Sequence, residues 1–269
     1  MDSDNDDGIE CVDSGQGPVL LFLPGSYSTP SAWRPVQRLL GLNWRLLTTS
    51  LCGYGRTFET RTTRDFGMHH ELRVVQALAR RAGAPVHLVG HSFGGTVALA
   101  AALAGTIDIA SLSLFEANPL AMLEGHDGRA LYDQTLHMSQ DFAQAVTAGE
   151  FDAPSRVIDF WGGPGVFAAM PEAVKAYCRS TAPINVLDWQ TDFGFTVTPA
   201  DCARLNIPVL LVRGGNANPA MVGITEALGA CMPEVKRAEV AGAGHFLITS
   251  HAQACADLLS SFLAGKVRG

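Results

Sequence analysis

Two short stretches carry residue types that can do chemistry together. "GHSFGG" (90–95) sets Ser92 between Gly90 and Gly94, at the point where the apolar run "PVHLV" gives way to an apolar helical pattern. Near the end of the chain, "GAGHF" brings His245 after two glycines that let the backbone bend. A serine hydroxyl is a weak nucleophile until a base removes its proton, and imidazole suits that task because its unperturbed pKa lies near neutrality. Such a pair needs a third group to orient the imidazole. The loop in "LLVRGGNANPAM" (210–221), between a strand-like run and a helix start, offers Asn216, Ala217 and Asn218, with no acid before Glu226.

The spacing around Ser92 has a steric reading. In a strand–turn–helix bend this tight, residues two positions from the serine nearly touch backbone, so side chains there do not fit. The same pattern could start a glycine-rich phosphate loop, but the lysine such a loop requires is absent. Among the other histidines, His91 adjoins Ser92 and points to the opposite side, as a packed neighbour. His251 sits at a helix start. His69 and His70 could hold a metal, but no third ligand is read at matching helical spacing, and a surface helix face is the simpler reading. His87, His126 and His137 have no evident partner.

The elements that must position these groups alternate. Strands are expected at 9–13, 18–25, 44–51, 85–90, 111–116, 207–213 and 235–241. Helices are expected at 31–41, 65–83 with Asp65 as N-cap, 93–105, 219–230 and 250–264. Strands alternating with helices indicate a parallel sheet covered on both faces. Residues 117–200 break this rhythm with six prolines and a set of aromatics that includes Phe160, Trp161, Phe167 and Trp189. They read as an inserted helical segment, with the core formed by 1–116 and 201–269.

A chain of 269 residues, 47% hydrophobic, can bury one large α/β core. Its net charge of −7 argues against nucleic acid or an anionic membrane as a partner. The acidic start "MDSDNDD" reads as a solvated end with no secretory signal. The six cysteines lack metal-site or disulfide spacing, which fits free thiols in the cytoplasm. No stretch is long and apolar enough to span a bilayer.

Taken together, "LPGSYS" after one strand, "GHSFGG" after another and "GAGHF" near the end resemble the α/β-hydrolase superfamily over about residues 9–264. In the resemblance the chain begins at the family's second strand, and "LPG" stands where many members have His-Gly. It implies an α/β, mostly parallel doubly wound sheet with an inserted helical cap over 117–200. It also implies Ser92 as nucleophile, His245 as base, and an oxyanion hole of the Phe93 and Ser26 backbone amides, with Tyr27 the next candidate for the second donor and a substrate-binding residue. Some members carry the acid after the strand that follows the elbow helix, which points to Glu116. Asn218 as a neutral partner, and Asp108 and Asp192, are alternatives. Phe160 and Trp161 could project over the serine and bind an apolar substrate, or form the cap's own core.

The expected activity is cofactor-free and metal-free hydrolysis of a carboxylic ester or related acyl bond of a small, largely apolar substrate by a monomer or homodimer. A C–C bond hydrolase acting on a diketone, or a non-catalytic small-molecule receptor, is the alternative on the same fold.

Overall fold

The computed structural model describes residues 8–41, 43–125 and 128–264. The acidic start and His126 lie outside the described residues. Seven strands, β1 (Val12–Gly15), β2 (Val19–Leu23), β3 (Arg45–Thr48), β4 (Val86–His91), β5 (Ile109–Phe115), β6 (Val209–Gly214) and β7 (Val235–Val240), form one sheet in the order β1-β3-β2-β4-β5-β6-β7. Only the β1–β3 pair is antiparallel.

Helices cover both faces. The first, α1 (Arg34–Gln37), follows a 3₁₀ turn at Pro30–Trp33; α2 (His69–Ala82) and α3 (Phe93–Ala104) flank β4. Between β5 and β6 come α4 (Arg129–Thr147), α5 (Ser155–Gly162), α6 (Val166–Ala169), α7 (Glu172–Ser180), α8 (Ala182–Gly194) and α9 (Pro199–Cys202). The chain closes with α10 (Pro219–Cys231), α11 (Leu247–Ser250) and α12 (Ala252–Leu263).

The continuous apolar runs of the central strands follow from this double cover, since alternate residues point to opposite faces. In β2, Val19, Leu21 and Leu23 join the layer of α2 and α3, whereas Leu20 and Phe22 meet Trp33, Val36 and α12. None of these five is more than 2% exposed. Strand order reverses between β2 and β4, and a crevice opens at the carboxyl ends of strands at such a point. Ser26 follows β2 and Ser92 follows β4, so the fold delivers both to that crevice.

Three local expectations change. The helix expected over 31–41 is a 3₁₀ turn followed by four α-helical residues. It tapers into short-range bonds, with Leu39 N–H donating to Val36 and Leu40 to Gln37. The helix expected from Asp65 begins at His69. Asp65 instead pairs with Thr62 in a tight loop, and Met68 takes the N-cap position without a side-chain bond. The strand expected at 9–13 lies at 12–15. Gly83 does end α2 in the left-handed conformation, φ 65°, as the glycine there implies. All six cysteines are unpaired. Among the described residues, no helix is long and apolar enough to cross a membrane.

One buried ionic cluster ties α8 to α2 and to the loop that follows β3. The Arg61 guanidinium, fully buried, meets Asp188 of α8 at 2.8 Å, Glu71 of α2 at 3.1 Å and Glu59 at 2.8 Å. Removing the cation would strand buried carboxylates in a medium that solvates them poorly. Arg61→Ala is therefore expected to lower unfolding free energy by about 3–5 kcal/mol, as breaking a buried pair does. Arg45→Ala, which loses a partly exposed pair with Asp13, should cost about 1 kcal/mol or less. Urea unfolding of the two variants checks the contrast; equal losses would contradict it.

Candidate active site

The turn after β4 is as crowded as its sequence implies. A Cβ on Gly90 would stand 2.4 Å from the Gly94 carbonyl oxygen, one on Gly94 2.2 Å from that of Pro24, and one on Gly95 2.6 Å from the Ala117 side chain. Ser92 sits in this bend with φ 54° and ψ −129°, immediately before the first residue of α3. Among the described residues, three non-glycine residues have positive φ: Tyr27, Ser92 and Glu116. Each such conformation costs on the order of 1–3 kcal/mol and persists only where the surroundings enforce it. All three belong to this one site.

The structure brings Ser92, His245 and Glu116 into one chain of hydrogen bonds. His245 Nε2 lies 3.0 Å from Ser92 Oγ, and its Nδ1 lies 2.7 Å from Glu116 Oε2. The other carboxylate oxygen of Glu116 accepts from the Gly214 amide at 2.6 Å, which fixes the side chain across the end of β6. With Nδ1–H donating to the carboxylate, Nε2 presents its lone pair to the serine hydroxyl. Ser92, His245 and Glu116 are each at most 7% exposed.

The residues considered as alternatives to Glu116 are elsewhere. Asn218 caps α10 by accepting from the Ala220 amide and donates its own N–H to the Phe160 carbonyl at 2.7 Å. Asp108 precedes β5, at the opposite end of that strand from Glu116. Asp192 is buried on α8 and lines the cavity described below.

Phe93 opens α3, and the N–H groups of a helix's first turn have no acceptor within the helix. Ser26 follows Gly25, where an added Cβ would come 2.9 Å from Ser92 Cβ, so the loop after β2 presses against the serine. The Ser26 hydroxyl donates to Asp188 Oδ2 at 2.5 Å, and the Tyr54 hydroxyl donates to the same oxygen at 2.6 Å. Asp188 thus links this loop to α8 and, through Arg61, to α2.

A cavity of about 460 Å³, counted with its open mouth, lies over Ser92. Ser26, Tyr27, Phe93 and His245 line it, together with Trp161, Trp189, Val157, Ile158 and Phe246. Phe160, expected beside Trp161, is not part of the lining. It packs edge-on against Trp161 with ring centroids 4.8 Å apart, because its neighbour on α5 points inward instead. Trp161 also stacks on the His245 ring at 5.5 Å. Sequence reasoning did not assign a binding role to the α8 residues Asn185, Asp188, Trp189 and Asp192, which all line the cavity. Their spacing was the available signal.

The remaining histidines divide. His91 is buried and its Nε2–H donates to the His245 carbonyl at 2.9 Å, bracing the loop that holds the imidazole. His69 is exposed, but His70 is only 5% exposed and bonds Thr60 through Nδ1 at 2.8 Å. The surface-face expectation therefore holds for His69 alone. Against the expectation that no third ligand-type residue stands at helical spacing, Asp65, four residues before His69 and in the preceding loop, lies 3.6 Å from His69 and 3.3 Å from His70.

The comparisons agree with this architecture. The model of the alpha/beta hydrolase family matches residues 20–258, and the chain belongs to that family. It is 26% identical to a fluoroacetate dehalogenase of a Burkholderia species over 97% of this chain and 92% of that protein. It is 24% identical to the polyketide synthase ThaQ of Burkholderia thailandensis over 96% of this chain, but spans only 12% of that protein's length. Among solved structures, MenH from S. aureus superposes with a TM-score of 0.77 at 16% identity, covering 95% of this chain and 98% of MenH.

Burial holds the His91 ring well below its ordinary pKa of 6.5, at about 3, with the neighbouring His245 acting in the same direction. The unfolded chain therefore binds a proton between pH 6.5 and 3 that the folded chain refuses. The corresponding stability is present above pH 6.5 and is lost as pH falls, by about 1.4 kcal/mol per unit. The unfolding free energy of the wild type should thus fall more steeply between pH 6.5 and 5 than that of His91→Gln. Parallel slopes in urea titrations would contradict the assignment.

Proposed function

We propose that this protein is a serine hydrolase that cleaves a carboxylic ester or related acyl bond of a small substrate through an acyl-enzyme. The observation that carries the proposal is the continuous hydrogen-bond chain from Ser92 Oγ through His245 to Glu116. Family membership supports the broader assignment to hydrolase chemistry.

In this mechanism Ser92 Oγ attacks the substrate carbonyl carbon while His245 Nε2 takes its proton. Glu116 keeps Nδ1 protonated and stabilises the imidazolium that forms. Negative charge develops on the former carbonyl oxygen and is met by the Phe93 and Ser26 backbone N–H groups. The imidazolium returns its proton to the leaving group. Water, deprotonated by His245, then attacks the acyl-enzyme, and Ser92 is released. The helical segment between β5 and β6 acts as the cap, with Trp161, Trp189 and Tyr27 contacting substrate and excluding bulk water.

The dehalogenase relative does not transfer its reaction to this chain. Serine attack on a carbon–halogen bond would leave an ether that water does not cleave, whereas a carboxylate nucleophile leaves an ester. Ser92 occupies the nucleophile's place here, which favours acyl substrates. The complete hydrogen-bond chain likewise favours an enzyme over a non-catalytic receptor.

Hydrolysis of short and medium-chain p-nitrophenyl esters tests the proposal. Wild type should turn over and Ser92→Ala should not, while Glu116→Gln should retain the fold and lose roughly 10² or more in kcat, as removal of a triad acid does. Turnover that survives in Ser92→Ala, or a near-wild-type rate in Glu116→Gln, would contradict it.

A further inference from the structure

Helix α8 turns an unusual face to the cavity. Asn185, Asp188, Trp189 and Asp192 stand at i, i+3, i+4 and i+7, the spacing that places side chains on one stripe of a helix. All four line the cavity. A helix that merely covered a core would carry apolar residues on that stripe. This one carries an amide and two carboxyl groups, each no more than 2% exposed.

Most of these polar atoms are satisfied within the protein. Asp188 accepts from Ser26, Tyr54, Asn185 and Arg61. The Asn185 carbonyl oxygen accepts from the Trp189 indole at 3.2 Å. Asp192 differs: it is 1% exposed, and neither carboxyl oxygen has a hydrogen-bond partner of proper geometry. The nearby Leu120 amide favours its charge, but burial and the neighbouring Asp188 oppose it, and its pKa is held well above the ordinary carboxyl value. Arg61 has no charge to spare, because Glu59, Glu71 and Asp188 already share it. Among the described residues lining the cavity, none is lysine or arginine. A buried carboxyl whose one polar contact is the Leu120 amide is under-satisfied, and on a residue that lines a ligand site a ligand group would complete it.

The rest of the wall indicates what that ligand brings. The indoles of Trp161 and Trp189 lie nearly parallel, 4° apart in plane with centroids 6.2 Å apart. Aromatic faces attract cations, and carboxylates bind ammonium groups through charge-assisted hydrogen bonds. The Tyr27 hydroxyl, also buried without a partner, supplies a further polar contact. A carboxylate ligand would bring no cation to offset the burial that favours the neutral form of Asp192, and a hydroxyl would satisfy only one of its bonds, whereas an ammonium group would favour the ionised form.

We propose that Asp192 is a substrate-binding residue that takes a protonated amine, so that the substrate is an acyl compound carrying an ammonium group remote from its scissile carbonyl. This rests on the reading of the cavity as the active site of an acyl hydrolase, and it narrows the expectation of a largely apolar substrate to an amphipathic one.

Calorimetric titration with n-hexylamine, 1-hexanol and hexanoate tests it in wild type, Ser92→Ala and Asp192→Asn. The amine should bind wild type and Ser92→Ala about tenfold or more tighter than the isosteric alcohol, with hexanoate weakest. Asp192→Asn should reduce the amine preference to about twofold or less. Alcohol binding as tightly as amine to the wild type would overturn the proposal whether or not the variant folds. So would an amine preference unchanged in a folded Asp192→Asn. Because Ser92→Ala binds without turning over, loss of the amine preference is distinguishable from failure of the hydrolase reading, which is judged by ester turnover alone.

Discussion

The bend between β4 and α3 is the constraint on which the rest of the site depends. Strand, loop and helix backbones approach so closely there that Gly90, Gly94 and Gly95 have no room for a Cβ. That crowding forces Ser92 into a positive φ, and in return lifts its hydroxyl clear of the sheet at the start of a helix. The same close approach brings the Pro24–Ser26 loop against Ser92 Cβ. One steric condition thus places both Ser92 and the Pro24–Ser26 loop beside it. Rigid packing of the central strands below supplies the restraint that keeps the strained serine in place.

A second requirement is electrostatic, and it couples the helical segment to the chemistry. Asp188 reaches from α8 to the Ser26 and Tyr54 hydroxyls, while Arg61 compensates its charge and that of Glu71. Burial raises the Glu71 carboxyl to about 7 despite the Arg61 charge beside it. A buried cluster of this kind is a costly way to gain stability, since apolar packing of the same volume often does as well. It fixes one arrangement of α8, the Pro24–Ser26 loop and α2. Asp192, one turn further along the same helix, is left outside this compensation and is among the residues that line the cavity.

Much of this was legible in the sequence because the controlling features are local. Ser92 and its glycines, the flanking apolar strand and helix, and His245 in its bent loop announce themselves by type and spacing. Glu116 was reached through the family resemblance, by its place at the end of a strand adjacent to β6, since a carboxylate that reaches across a strand leaves no mark on neighbouring residues. Asn216–Asn218 in the later loop offer no carboxylate, which turned the reading toward Glu116. What escaped reading depended on partners distant in the chain. Phe160 and Trp161 are adjacent, and only helix orientation decides which one faces the cavity. His70 is buried because Thr60 comes back to meet it. The polar stripe Asn185–Asp188–Asp192 was visible as a periodicity, but its inward direction was not, because polar residues on a helix ordinarily face water.

The central claim is that Ser92 is a nucleophile activated through His245. Treatment with diisopropyl fluorophosphate, followed by intact-mass and peptide mass spectrometry, addresses it without any knowledge of the natural substrate. The account predicts one adduct, mapped to Ser92, whose rate of formation falls by roughly 10² or more in His245→Ala, in line with the loss of a general base. No adduct, an adduct on another residue, or an equal rate without His245 would contradict it.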